Sequence, residues 1–246
     1  SVSKAAIMSI RSMHKNIDYI HNGLDSKYFQ MHLKHYTKIR LKIRERLKID
    51  ENVFCFIIGG SMRKEKGYAL LIECLAKNNF EREIIVLVVG DIENDVEQDF
   101  FKYLSKIIDK NNLDVRFLGH LKQNELYNII VAGDIGFQLS SPKLSEGISI
   151  FILEMMFLRL PVIVSDSGGN KEIVTDGYSG ITLSNYSIED LIETGLFYLD
   201  EKKKIYIERF RGRLIFPINN ISGQPIALGG RIIEKSDFLA KYINSP

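Results

Sequence analysis

The stretch SEGISIFILE, residues 145 to 154, sets two carboxylates, Glu146 and Glu154, at the ends of an almost unbroken apolar run. Carboxylates accept hydrogen bonds well from vicinal hydroxyls, the groups that ribose and hexoses present. If a helix starts near Glu146, eight residues at roughly 100° each put the two about 80° apart in azimuth and about two turns apart along the axis. Glu146 then stands at the mouth of the helix and Glu154 farther along it. Gly147 lets a ligand approach the backbone, and the free N–H groups of a first turn suit a phosphate. The spacing also fits a purely structural arrangement, in which Glu146 caps the helix and Glu154 pairs with a nearby Lys or Arg.

Such a helix needs a scaffold, and the chain supplies one. Strand candidates fall at 53–58 (VFCFII), 83–89 (EIIVLVV), 114–118 (DVRFL), 134–139 (DIGFQL), 161–165 (PVIVS) and 180–183 (GITL). Helical patterns lie between them, near 66–78, 94–110, 123–131, 147–158 and 187–200. Continuous Val/Ile-rich strands separated by helices predict an α/β fold, a doubly wound Rossmann-like parallel sheet covered on both faces. Ligands bind such sheets beyond the carboxyl ends of the strands, where the Glu146 segment falls. After about residue 205 the pattern changes to two apolar runs joined by an Asn/Ser/Gly turn, RLIFPINNISGQPIALGGR, which predicts an appended antiparallel hairpin.

The composition, 45% hydrophobic and 26% charged with a net charge of +2, is that of an ordinary globular chain. The charge does not itself point to nucleic acid or membrane. Cys55 and Cys74, the two cysteines, lie in apolar runs and read as inert core thiols; no metal-ligand spacing is present. His21, His32 and His35 fall in a polar basic segment and read as solvated. HLKHYTKIRLKIRERLK reads as one amphipathic helix, open to a membrane-surface role or to a solvated basic face. With no apolar block of membrane-spanning length and no signal-peptide pattern, a cytoplasmic location is expected. A dinucleotide dehydrogenase is disfavoured, because GGSMRKEKG lacks the G-x-G-x-x-G spacing.

EGISIFILEMMFLRLPVIVSDSGGNKEIVTDGYSGI resembles the nucleotide-sugar-binding signature of family-4 glycosyltransferases, retaining enzymes of the two-domain GT-B fold. VSKAA and IDYIHNGLDSKYF are similar to that family's interdomain crossing, GGSMRKEKGYALLIECLA to its first strand-loop-helix, and VRFLGHLKQNELYNII to the segment bordering the base. The resemblance covers residues 1 to about 200. It implies that Glu154 binds the ribose hydroxyls, that Glu146 contacts the donor sugar and that Lys66 neutralises the diphosphate. Backbone amides around Gly60, Ile148 and Ser149 would complete the phosphate cradle beside Gly147, and Gly119 would line the base pocket. Two departures stand out. Ser61 replaces a frequent arginine, for which Arg63 substitutes only in part, and EGIS replaces EGFG. The implied substrate is a UDP- or GDP-sugar, with no cofactor or metal. The implied setting is glycan or lipopolysaccharide synthesis at the inner face of the cytoplasmic membrane.

The tail, RFRGRLIFPINNISGQPIALGGRIIEKSDFLAKYINSP, resembles part of the catalytic core of bacterial DNA primase. That resemblance implies phosphate contacts at Arg211, Arg213, Arg231 and Lys241. The metal-binding acidic domain of that family does not follow in this sequence, so primase activity is not expected, nor nucleic acid as the main partner. The expected organisation is a remnant of an acceptor domain at 1–16, a nucleotide-sugar-binding domain at 17–200 and a primase-like fragment at 205–246. Transfer would then need an acceptor-binding domain that is missing here.

Overall fold

The computed structural model describes residues 22–142, 147–176, 179–194, 197–208, 213–219, 225–232 and 240–244 of the 246. Six parallel strands form the central sheet: β1 (Phe54–Gly59), β2 (Ile84–Val89), β3 (Asp114–Phe117), β4 (Ile135–Gln138), β5 (Val162–Ser165) and β6 (Gly180–Leu183), in the order β3-β2-β1-β4-β5-β6. All six expected strands are present, and the doubly wound reading holds. Side chains alternate across the sheet, so Cys55 and Ile57 of β1 enter one core while Phe56 and Ile58 enter the other. The first core is closed by α1 (Lys27–Lys34), α2 (Tyr36–Arg46), α5 (Gln123–Ala132) and α6 (Ile150–Phe157). The second is closed by α3 (Tyr68–Lys77), α4 (Asp95–Asn111) and α8 (Ile188–Ile192); the short α7 (Asn170–Ile173) precedes β6. No helix among the described residues is long and apolar enough to cross a membrane.

Local chemistry sets the helix ends. Asn94 caps α4 by accepting from the Glu97 N–H at 3.0 Å, and Asn112 stops it in a left-handed conformation, φ 51°. Burial raises both thiols, Cys55 and Cys74, to about 12, so they stay protonated in the core.

The basic segment departs from expectation. It forms two helices broken at His35, and two of its arginines turn inward. Arg40 donates to the carbonyls of Val131, Ala132 and Gly133 at the end of α5. Arg44 donates to the Asp50 and Val53 carbonyls and, like Arg40, pairs with Asp134. Free carbonyls at a helix C-terminus attract cations, which explains why these arginines leave the solvated face. His32 is likewise not solvated: it is 2% exposed, edge-on to the ring of Tyr127. His35 is exposed, and His21 lies outside the described residues.

The helix expected over 187–200 is also corrected. Only Ile188–Ile192 is helical, capped by the Ser187 hydroxyl, which accepts from the Asp190 N–H at 3.0 Å. The β-forming run that follows becomes β7 (Phe197–Asp200), antiparallel to β8 (Ile205–Glu208). The expected C-terminal hairpin is present as β9 (Arg213–Asn219) and β10 (Pro225–Ile232), with a third antiparallel strand, β11 (Tyr242–Asn244), beside β10.

Candidate functional site

The strand order reverses between β1 and β4, and the carboxyl ends of these two strands make the crevice where open sheets of this kind take ligands. The loop after β1 carries Gly60, Ser61, Arg63 and Lys66. It is tied to the loop after β4 by a bond from the Ser141 N–H to the Glu65 carbonyl at 2.7 Å. Gly67 closes this loop with φ 79°, and a Cβ there would stand 2.0 Å from the Leu139 carbonyl oxygen, so only glycine lets the loops meet. The aliphatic stem of Lys66 runs beside Gly60, whose carbonyl accepts from the Tyr68 hydroxyl at 2.8 Å. The Arg63 Nε donates to the Ser61 hydroxyl at 2.8 Å.

The ends of β2 and β3 join on one side. The Gly90 N–H donates to the Gly119 carbonyl at 3.0 Å, and the His120 N–H to an Asp91 carboxylate oxygen at 2.8 Å. On the other side Gly147, Ile148 and Ser149 lead into α6, and Asn22 holds this entry by donating to the Ile148 carbonyl at 3.1 Å. Phe151 of α6 packs on Gly59, so the helix start stands over the end of β1. The loops and the helix entry at this crevice therefore carry Gly60, Ser61, Arg63, Lys66, Gly147, Ile148 and Ser149, with Gly119 at its β2–β3 edge and Glu154 one turn into α6.

The helix start differs from expectation. It lies at Ile150 with Ser149 as cap, not near Glu146, because glycine and a β-branched residue at 147 and 148 resist helical backbone. The helix therefore does not begin at the first glutamate's neighbour Gly147. Glu146 itself lies outside the described residues. Glu154 is 8% exposed and pairs with no lysine or arginine among the described residues; its Oε1 accepts from the Tyr127 hydroxyl at 3.2 Å. Burial raises the Glu154 carboxyl above the usual range, while the Tyr127 bond pulls it down. A carboxylate kept this dry, with no cation among the described residues, suits a hydroxyl-bearing ligand better than a structural ion pair. Tyr127 was not singled out from sequence; its spacing from Gln123 on one helix face was the available signal.

A cavity of about 540 Å³ lined by Asn78, Asn79, Phe80, Arg82, Asn111 and Asn112 lies at the opposite, amino-terminal ends of β2 and β3, away from this crevice.

The profile of the family described as "Glycosyl transferases group 1" matches residues 39–209. The chain belongs to that family. This group 1 glycosyl transferase is 29% identical over 191 residues to UDP-Gal:alpha-D-GlcNAc-diphosphoundecaprenol alpha-1,3-galactosyltransferase of Escherichia coli, covering 76% of this chain and 46% of that protein. It spans about half the length of the transferase relatives it matches. The solved structure of Anabaena HepE in complex with UDP and glucose superposes with a TM-score of 0.67 at 24% identity, over 78% of this chain and 50% of that one, which shows the shared fold. A second profile, "DNA primase catalytic core, N-terminal domain", matches residues 174–246 and so overlaps the transferase profile up to 209. DNA primase of Legionella pneumophila is 42% identical over 57 residues, 23% of this chain and 10% of that protein. Of the primase-like basic residues, Arg231 and Lys241 both lie over the ring of Tyr242, at 6.0 and 5.6 Å. Arg213 begins β9, and Arg211 lies outside the described residues.

Proposed function

We propose that this chain is the donor-binding half of a retaining glycosyltransferase that moves a hexosyl group from a nucleoside diphosphate sugar to a glycan or lipid-linked acceptor. The observation that carries the reading is Glu154, a buried carboxylate that meets no cation among the described residues, held in the helix that opens at the strand-order reversal. Its free oxygen would take the ribose hydroxyls. Lys66 and the amides at Ile148 and Ser149 would take the diphosphate, without a metal ion, and stabilise it as it leaves. Glu146 would contact the sugar, and the Gly119 edge would take the base. The Escherichia coli relative acts on UDP-Gal and a diphosphoundecaprenol-linked acceptor, which supports UDP as the leaving group and a peripheral contact with the cytoplasmic membrane.

Gly147 supports the same reading. A Cβ there would meet nothing within 4 Å among the described residues, and its φ is not in the left-handed region, so neither packing nor backbone demands glycine. A ligand lying against the backbone would. Transfer further needs an acceptor-binding domain to form the other wall of the cleft. Calorimetric titration with UDP and GDP tests the donor site: binding should weaken in both Glu154→Ala and Lys66→Ala. Undiminished binding in both variants rejects it.

The tail favours a second, subordinate reading. Two cations over the Tyr242 ring, in a segment matched by the primase profile, are suited to contact with single-stranded nucleic acid. Removal of residues 209–246 should then abolish any binding to single-stranded DNA.

A further inference from the structure

Tyr127 of α5 is 2% exposed, stacked on Phe29 with centroids 4.6 Å apart and edge-on to His32 at 5.4 Å. A phenol buried this way needs a partner for its hydroxyl. It has two: the hydroxyl donates to Glu154 Oε1 at 3.2 Å and accepts from Gln123 Nε2 at 2.8 Å. The direction of this chain follows from its chemistry. An ionised carboxylate only accepts, so the single phenolic proton points at Glu154 and the Gln123 amide must donate.

We infer that Tyr127 is a positioning residue for the donor: it fixes Glu154 by Oε1 and leaves Oε2 for the vicinal hydroxyls of the ribose, with Gln123 fixing Tyr127 in turn. The inference rests on the proposed role of Glu154. Only Oε1 is engaged among the described residues, so the bond occupies one acceptor and spares the other. A glutamate already held in its binding rotamer loses less side-chain freedom when ligand arrives. The bond also favours the ionised carboxyl, opposing the larger upward push of burial on its pKa. Among the described residues, the polar groups on the Oε1 side of Glu154 are Tyr127 and Gln123 from α5, with Tyr28 and His32 of α1 behind the phenol.

The test compares the full chain with Tyr127→Phe, Gln123→Ala, Glu154→Gln and Glu154→Ala. The Glu154 carboxyl is followed by carbon-13 NMR, assigned through Glu154→Gln, and UDP affinity is measured by calorimetry across the acid-to-neutral range. Tyr127→Phe keeps the ring and its stacking, so packing alone predicts no change. Positioning predicts an upward move of the Glu154 titration midpoint, an acid limb of UDP binding displaced to higher pH, and affinity about three- to tenfold weaker at neutral pH. Gln123→Ala should move all three in the same direction by less. A midpoint and acid limb unchanged in Tyr127→Phe overturn the inference. Glu154→Ala that binds UDP as tightly as the unmodified chain, or a folded chain that binds no UDP, defeats the donor-site reading itself, and the positioning role falls with it.

Discussion

Tyr206 lies against Phe80 with ring centroids 5.6 Å apart, and its backbone is bonded on either side of that ring. Its N–H donates to the Asn79 carbonyl at 2.6 Å, and its carbonyl accepts from the Glu81 N–H at 2.8 Å. Phe197 completes the contact on Phe80 and Phe54. The β7–β8 hairpin, claimed by both family profiles, is thus joined to the transferase sheet at its amino-terminal end. Truncation after residue 208 should leave the domain's stability unchanged. Truncation after residue 196 should lower it by about 2–4 kcal/mol, because the half-buried rings of Phe54 and Phe80 lose their cover. Urea unfolding of the two truncations checks this, and equal midpoints would remove the hairpin from the domain.

Asp134 should be costly to remove. It holds the guanidinium groups of Arg40 and Arg44 and accepts from the Cys55 N–H at 2.8 Å. Asp134→Ala leaves the 5%-exposed Arg44 without its counter-ion, and a loss of about 3–5 kcal/mol is expected in urea unfolding. Asp134→Asn, which keeps an acceptor for Cys55, should lose less.

Two glycines of the crevice should respond oppositely to alanine. Gly147→Ala should stay within about 0.5 kcal/mol of the unmodified chain in stability, while UDP binding weakens about tenfold. Gly67→Ala should cost about 2 kcal/mol or more, since it combines a left-handed φ with a clash on Leu139. Thermal melts and UDP titrations of both variants separate a glycine kept for ligand from one kept for fold.

Glu154 makes the unliganded chain pH-sensitive in a definite direction. Burial raises its folded pKa above the unfolded value. Between those values the folded state binds more protons, so its contribution to stability is present below the unfolded pKa and is lost as pH rises through the folded one. Glu154→Gln should therefore be more stable than the unmodified chain at neutral pH, with the gain vanishing on acidification. Urea midpoints at mildly acid and neutral pH measure it, and a gain that grows toward acid pH would contradict it.

The sheet was legible because each strand is a continuous Val/Ile run bounded by polar turns, as in FCFIIG and IIVLVV. The site segment could be placed beyond the carboxyl ends of parallel strands, at the polar loop and Gly147 before the Glu154 helix, whereas the strand order that makes the crevice came only from the structure. What local pattern could not show was anything decided across the chain. Arg44 carries the same helical spacing as its solvated neighbours, and the carbonyls that draw it inward belong to Ala132 of α5 and to Asp50 and Val53, with Asp134 some ninety residues on as counter-ion. His32 sits in a basic run, yet the Tyr127 ring covers it. The segment after Ser187 begins with a good cap and helix formers, so the strand at Phe197–Asp200 depends on its pairing with β8. Glu154 could be nominated, but its partner Tyr127 lies on another helix.

The order of the strands carries a cost during synthesis. β1 pairs with β2 soon after both are made, but its other edge waits for β4, with Phe56 meeting Ile135. At about 5–20 residues per second that edge emerges unpaired for roughly 4–16 seconds, and its sequence, FCFIIG, has no charge and no proline. A nascent chain halted before β4 would expose a ready template for strand addition, so this step is where a chaperone would matter most to its yield.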